Sequence, residues 1–442
     1  MFRRRPTPKA SVECRRRVPS VQCKRGALAV PSHDSDGSFC VSDGSDDRTI
    51  PRRTLAGATI LQIVPKLEEE PAARTAVNIA HVLLLAGARA LVAAEGGPLV
   101  NELTAAGGEW IPMVNATVNP LRLRRNAKQL EQLVREDRID IIHAYDAGAA
   151  WSARVAASRI AVWLVATLPD DPSYTGMRGR YASALAQGDR VIAPSNYSAA
   201  PIMKRYGLRP EQITIVPRVI DTATYNPAAV SKERADAQRE HWHVAADEKI
   251  VMVPGRVAPW NGQILVPGIA RAMIDNGISG FVFVVIGEST THAKYARDIL
   301  KRAHAVAVGD LIRMMGHCED MPAAMSAADY ILVPAIEAPL LGRVVAQAQA
   351  MGRPVVTSDI GVLSEQIVAP PRMPEDVRTG WTATLGDSAE FAQVLGTALS
   401  MNANAYRVMS ARARQFAEYM FSPESVAEAM RSVYTSLLAR DL

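Results

Sequence analysis

From residue 59 onward, short apolar runs rich in Val and Ile alternate with longer stretches in which apolar residues recur every three or four positions. The short runs predict buried strands at 60–64, 90–94, 110–112, 139–143, 161–167 and 190–193, and the longer ones predict helices at 72–86, 99–106 and 121–136. A polar stretch, 226–247, interrupts the pattern. The alternation then restarts, with strands predicted at 249–253, 281–286, 312–315, 330–333 and 355–357. Three long amphipathic segments, 389–401, 405–421 and 423–439, predict closing helices. Strands alternating with helices imply an α/β fold of parallel, doubly wound sheets, and the restart implies two of them joined near 217–226.

Composition narrows the class. Of the 442 residues, 48% are hydrophobic, enough to bury large cores. The longest apolar stretch, 79–94, is broken by His81 and Arg89, so nothing approaches the ~18–20 uninterrupted apolar residues of a membrane span. Basicity is local. Residues 1–53 hold twelve Lys/Arg against six acids while the whole chain carries +5, which leaves the remainder close to neutral. Nucleic-acid binding through that Arg-rich tail predicts strong salt dependence, and no such partner is expected for the near-neutral body. Cys14, Cys23 and Cys40 lie in the tail and Cys318 alone in the body, a spacing that fits neither a disulfide framework nor a zinc site. A reducing cytoplasm is the expected location. Residues 1–54 are expected to be a disordered extension; a transit-like or membrane-surface segment is the alternative, and no apolar core of a secretory signal is present in it.

Candidate chemistry lies in the loops after the strands. Gly255 to Gln263 reads GRVAPWNGQ, Gly316 to Ala324 reads GHCEDMPAA, Ile213 to Asp221 reads ITIVPRVID, and Val333 to Gly361 opens a helix at Gly342-Arg343 before an Ala-Met-Gly-Arg-Pro turn. A loop running from a strand into a helix start offers free N–H groups and a positive dipole end, which suits a phosphate. The sequence contains neither Gly-x-Gly-x-x-Gly nor a Walker loop, which disfavours a nicotinamide or P-loop site. His241-Trp242-His243 reads as a surface loop rather than a metal site, because no third ligand stands nearby in the pattern.

Taken together, these segments resemble retaining glycosyltransferases of family four, with the GT-B fold, from about residue 58 to 436. The resemblance implies two Rossmann-like domains facing a cleft, at 55–220 (acceptor side) and 221–405 (nucleotide-sugar side). Helices at 406–442 pack back on the first domain, with 426–438 crossing to it. It implies no cofactor and no catalytic metal, a nucleotide-diphosphate sugar as donor, and a hydroxyl acceptor on a glycan or lipid-linked glycan. Arg256 stands where the family holds the donor diphosphate, with Gly255, Asn261 and Gly262 around it. His317 and Met321 belong to the segment where the nucleobase packs, and Leu341, Gly342 and Arg343 to the helix start that meets the donor. Arg74 and His143 match acceptor-side positions.

The departures from the family cluster. The Lys that partners the phosphate-binding Arg is Asn261, the paired loop glycines are Glu70 and Pro71, a His is Pro169, and the two family glutamates fall on Pro339 and Gln347. Glu337, two residues before Pro339, is the nearest carboxylate that could substitute for the first, or else an ordinary exposed acid. Gln347 retains hydrogen-bonding capacity towards a ribose diol. Arg256 could instead be a structural residue at a strand end, and His143 a buried structural histidine. Two readings therefore stay open. One is a glycosyltransferase in cell-surface polysaccharide or glycolipid synthesis with Arg256, Glu337 and Gln347 at its centre. The other is an inactive paralogue that serves as a binding subunit, including for an active glycosyltransferase. Arg122, Arg124, Arg125 and Lys128 on one helix offer a patch for peripheral contact with the inner face of a membrane, or a solvated face.

Overall fold

The computed structural model describes residues 54–115, 117–168, 181, 183–339 and 341–440; the expected tail up to residue 53, and Pro169, lie outside them. The first half contains β1 (Thr59–Lys66), α1 (Pro71–Leu85), β2 (Arg89–Glu95), α2 (Leu99–Ala105), β3 (Glu109–Pro112), α3 (Pro120–Glu136), β4 (Ile141–Ala144), α4 (Ala147–Ala157), β5 (Trp163–Thr167), β6 (Arg190–Ala193), α5 (Asn196–Tyr206) and β7 (Ile213–Ile215). These strands form one sheet in the order β3-β2-β1-β4-β5-β6-β7, parallel throughout.

The second half starts with α6 (Lys232–His241) and continues through β8 (Lys249–Pro254), α7 (Val266–Asp275), β9 (Phe281–Ile286), α8 (Ala293–Ala305), β10 (Ile312–Gly316), α9 (Met321–Ala327), β11 (Tyr330–Val333), α10 (Arg343–Ala350), β12 (Val355–Ser358), α11 (Gly361–Glu365), β13 (Gly380–Ala383) and α12 (Ser388–Leu399). Its sheet runs β10-β9-β8-β11-β12-β13, also parallel. Helices α13 (Ala403–Phe421) and α14 (Pro423–Leu438) close the chain.

The expected pair of Rossmann-like sheets is present, and the reason is visible in the strands. All six residues of β9, Phe-Val-Phe-Val-Val-Ile, are buried, as a strand covered by helices on both faces requires. The second sheet has one apolar layer on each face, one built on Val251, Phe283 and Leu332 and the other on Met252, Val284 and Ile331. In both sheets the order reverses beside the first strand, between β1 and β4 and between β8 and β11. Loops from such neighbouring strands separate at their carboxyl ends and leave a crevice for a ligand.

The closing helices behave differently from one another. α14 crosses to the first domain, where Val426, Met430, Val433, Tyr434 and Leu437 are buried with Ile79, Leu83 and Val77 of α1. α13 stays with the second domain. Its Ala417 and Phe421 pack on Ala346 and Ala350 of α10, and Arg414 donates to the carbonyls of Ala350 at 2.6 Å and Thr222 at 3.0 Å.

Several elements were not legible in the apolar pattern. The polar stretch 226–247 contains α6, whose face carries a Lys232–Asp236 ion pair at i, i+4 and which ends on Trp242. Trp242 is 1% exposed and plugs the lower apolar layer, so His241-Trp242-His243 is not a plain surface loop. α4 was missed because it is Ala-rich and buried nearly all round, which removes amphipathic contrast. β13 was missed because Gly-Trp-Thr-Ala is not an apolar run.

Candidate functional site

The loop after β8 is the best-defined part of the crevice. Arg256 is exposed, and its guanidinium has no hydrogen-bond or ion-pair partner among the described residues. Its backbone is held tightly. The Arg256 carbonyl accepts from Asn261 Nδ2 at 2.7 Å and from Gln263 Nε2 at 3.0 Å. Gln263 is 1% exposed, so this second bond is sheltered from water. Asn261, which replaces the lysine of the family pattern, therefore anchors the loop that carries Arg256.

Gly262 fixes the other side of the same loop. It is left-handed at φ +70°, and a Cβ there would lie 1.8 Å from the carbonyl oxygen of Pro334, just past β11. No side chain can be admitted without moving one of the two loops. Trp260 completes the junction, since its carbonyl accepts from the N–H groups of Ile336 at 3.0 Å and Glu337 at 3.2 Å. The loops after β8 and β11 are thus one unit, with Gly255 at its root.

Glu337 is exposed, and no hydrogen bond or ion pair of its carboxylate is found among the described residues. Leu341 and Gly342 lead into α10, with Gly342 as the left-handed N-cap and Arg343 as the exposed first residue. Gln366 holds this entrance, donating from Nε2 to the Leu341 carbonyl at 2.7 Å. One turn into α10, Gln347 lies beside the phenol of Tyr225. Burial, followed by the nearby Asp221 carboxylate, raises the Tyr225 phenol above its ordinary range, so it remains a neutral partner.

His317 and Met321 lie beyond β10, on the far flank of the second sheet from α10. His317 and Cys318 line a cavity of about 310 Å³ together with Met315, Gln238, His241 and Trp242. Burial raises the Cys318 thiol above its usual range. Asp320 caps α9 and accepts from Arg234 of α6 at 2.8 Å, which ties the cavity's two walls together. The wall contributed by α6 was hidden in the polar stretch.

The first domain offers less. Arg74 is bound by two carboxylates, Glu102 at 2.6 Å and Glu69 at 2.7 Å. Glu70 is the N-cap residue of α1 and Pro71 its first residue, a pairing that starts a helix without a side-chain cap. His143 is wholly buried between the Tyr434 hydroxyl on Nδ1 and the Thr167 hydroxyl on Nε2, each at 2.7 Å, with the Tyr145 ring 4.2 Å away. Burial, helped by the charge of Arg218, pushes its pKa down to about 3. A neutral imidazole with one donor and one acceptor satisfies both hydroxyls. This arrangement fits the structural alternative for His143, and it links β4 and β5 to α14.

One residue that the sequence pattern does not single out, Glu365, joins the domains. Glu365, at the end of α11, accepts from the N–H of Tyr197 at 2.7 Å and of Asn196 at 2.8 Å, at the start of α5. The adjacent Gln366 is the residue that holds Leu341. Nothing in the spacing of a Ser-Glu-Gln triplet signals a contact across 169 positions.

Comparisons with known proteins agree with this architecture. Residues 72–224 match Glycosyltransferase Family 4, and residues 248–401 match Glycosyl transferases group 1. A D-inositol 3-phosphate glycosyltransferase of Geodermatophilus obscurus is 27% identical over 258 residues, covering 57% of this chain and 53% of that protein. The chain thus spans about half the length of such relatives. A glycosyltransferase from Rickettsia africae superposes with a TM-score of 0.68 at 21% identity, covering 87% of this chain and 100% of the other. HepE of Anabaena, solved in complex with UDP, superposes with a TM-score of 0.63 at 19% identity over 86% of this chain and 100% of the other. Two segments of the chain, 72–224 and 248–401, thus match the Family 4 and group 1 glycosyltransferase models, on a GT-B fold.

Proposed function

We propose that the chain is a retaining glycosyltransferase that moves a sugar from a nucleoside-diphosphate donor to a hydroxyl acceptor. The observation that carries this reading is Arg256, a cation without a partner among the described residues, on a loop whose carbonyl is pinned by Asn261 and Gln263. As the bond from the sugar's anomeric carbon to the diphosphate breaks and a bond to the acceptor oxygen forms, negative charge collects on the leaving phosphate. A fixed guanidinium stabilises that charge without reorganising at the moment of reaction. The acceptor's proton leaves with the departing phosphate. The N-terminus of α10, entered through Leu341, Gly342 and Arg343, supports the same diphosphate. The cavity beside His317 and Met321 suits a nucleobase, and Glu337 is the carboxylate proposed to meet the sugar.

The acceptor is proposed to be a glycan or a lipid-linked glycan of the cell surface. D-inositol 3-phosphate, named in the relatives, is the first small acceptor to assay. Among the described residues no helix is long and apolar enough to cross a membrane. Arg122, Arg124, Arg125 and Lys128 are all exposed on α3 beside Leu121, and would serve a peripheral contact. Domain limits of 55–220 and 221–405 are proposed, each enclosing one parallel sheet.

One observation favours the second reading, an inactive binding subunit. Arg74, at an acceptor-side position, is engaged by the carboxylates of Glu69 and Glu102 rather than left for a substrate. Calorimetry with UDP, GDP and ADP tests the first reading, because a transferase must bind one of them. Gain of donor turnover in an Asn261→Lys, Pro339→Glu, Gln347→Glu triple variant of a protein that binds nucleotide without turnover would assign it to the second.

A further inference from the structure

The short helix α11 and the residue after it touch three things at once. Glu365 seats its carboxylate on the first turn of α5, taking the N–H groups of Asn196 and Tyr197 and the Asn196 side-chain amide at 3.2 Å. A carboxylate at a helix N-terminus meets unpaired N–H groups and the positive end of the dipole. Gln366, its neighbour, is 8% exposed, donates to the Leu341 carbonyl, and has its own carbonyl bound by Gln349 Nε2 at 2.7 Å. Gln349 is fully buried in α10. Gln366 is therefore held from behind by one end of the α10 segment while it holds the other.

Gly361, which opens α11, is the third contact. A Cβ on it would lie 2.6 Å from the Cβ of Ala338 in the loop after β11 and 3.3 Å from the ring of Tyr197 in α5. The first domain, α11 and the loop leading to α10 thus meet without a gap. Arg372 braces the turn from outside, donating to the Ser364 carbonyl at 2.6 Å and to Asp359 at 3.2 Å. A rigid turn with a foot on each body transmits displacement from one to the other.

We propose that residues 361–366 form a positioning element, in which Gln366 sets the entrance to α10 and Glu365 makes that setting depend on the first domain being seated against the second. Gln366 is a positioning residue: it acts on Leu341 and Gly342, not on a substrate. The part of the inference that concerns ligand affinity rests on the nucleotide-sugar reading above; the part that concerns the loop does not.

The test is site-resolved amide exchange on the full chain, without ligand and with UDP, for the native sequence, Glu365→Gln and Gln366→Met. Both substitutions keep side-chain size, and folding is checked by a retained cooperative thermal transition. Without ligand, Glu365→Gln is expected to speed exchange at Asn196 and Tyr197. It should also speed exchange about tenfold at Ile336 and Glu337 in the loop after β11, whose N–H groups are bonded to Trp260 in the loop after β8. Gln366→Met should speed exchange at Ile336 and Glu337 and weaken UDP binding about tenfold, as loss of one sheltered hydrogen bond allows. If Glu365→Gln affects residues 196–197 alone and leaves Ile336 and Glu337 at the native rate, the coupling is refuted. If UDP, GDP and ADP, each in turn, protect no amide in the native protein, the nucleotide reading fails, while the ligand-free comparison still decides the coupling.

Discussion

Gly262 and Pro334 approach so closely that a Cβ on the first would come within 1.8 Å of the carbonyl oxygen of the second. This contact locks the loop bearing Arg256 to the loop bearing Glu337, and the left-handed φ of +70° at Gly262 adds to the constraint. Gly262→Ala is therefore expected to lower stability by ~2 kcal/mol or more, from left-handed strain plus overpacking. Urea unfolding measures it. An unchanged midpoint would mean that the two loops are not packed as described.

Tyr434 and His143 hold α14 to the first sheet. Tyr434→Phe removes the hydroxyl from His143 Nδ1 and leaves a buried ring nitrogen unpartnered, at a cost of ~1–3 kcal/mol. The damage should be local. Proteolysis is expected to release α14 faster from Tyr434→Phe than from the native protein, and equal cleavage rates in the two proteins would contradict the anchor.

The same histidine sets an acid limit. Its pKa falls from the ordinary 6.5 to about 3 in the native protein, chiefly through burial. Between those values the unfolded chain binds a proton that the folded chain does not, so stability is full above pH 6.5 and is lost as pH falls towards 3. One proton gives a slope of at most ~1.4 kcal/mol per pH unit. His143→Gln, although less stable at neutral pH, should show a shallower acid slope in urea midpoints taken across this window. Parallel slopes for the two proteins would rule the histidine out as the sensor.

Much of the fold was legible because its strands are buried on both faces and so read as continuous apolar runs, β8 and β9 most clearly. Elements whose signal is not periodic were missed. α6 is polar on nearly every exposed position and reveals itself only through Trp242; α4 is Ala-rich and mostly buried. For the site, the sequence located the loops after β8 and β11, because glycines at Gly255, Gly262 and Gly342 and the turns around them are local features. Side-chain partnership is not local. That Gln347 lies beside Tyr225 and that Glu365 reaches α5 depend on positions far apart in the chain. His143 shows the same limit from the other side: its place at the end of an apolar run suggested either a site or a core, and only the hydroxyls of Thr167 and Tyr434 distinguish them.

The central claim is that the loop bearing Arg256 takes the diphosphate of a nucleotide donor, and titration calorimetry of UDP, GDP and ADP into the native protein and into Arg256→Ala tests it most directly. The account predicts that at least one nucleotide binds the native protein and that Arg256→Ala weakens it by ~1.5–3 kcal/mol, roughly 10- to 150-fold, as loss of one charge-assisted contact would. Binding unaffected by the substitution, or no binding of any of the three to a protein that unfolds cooperatively, would contradict it.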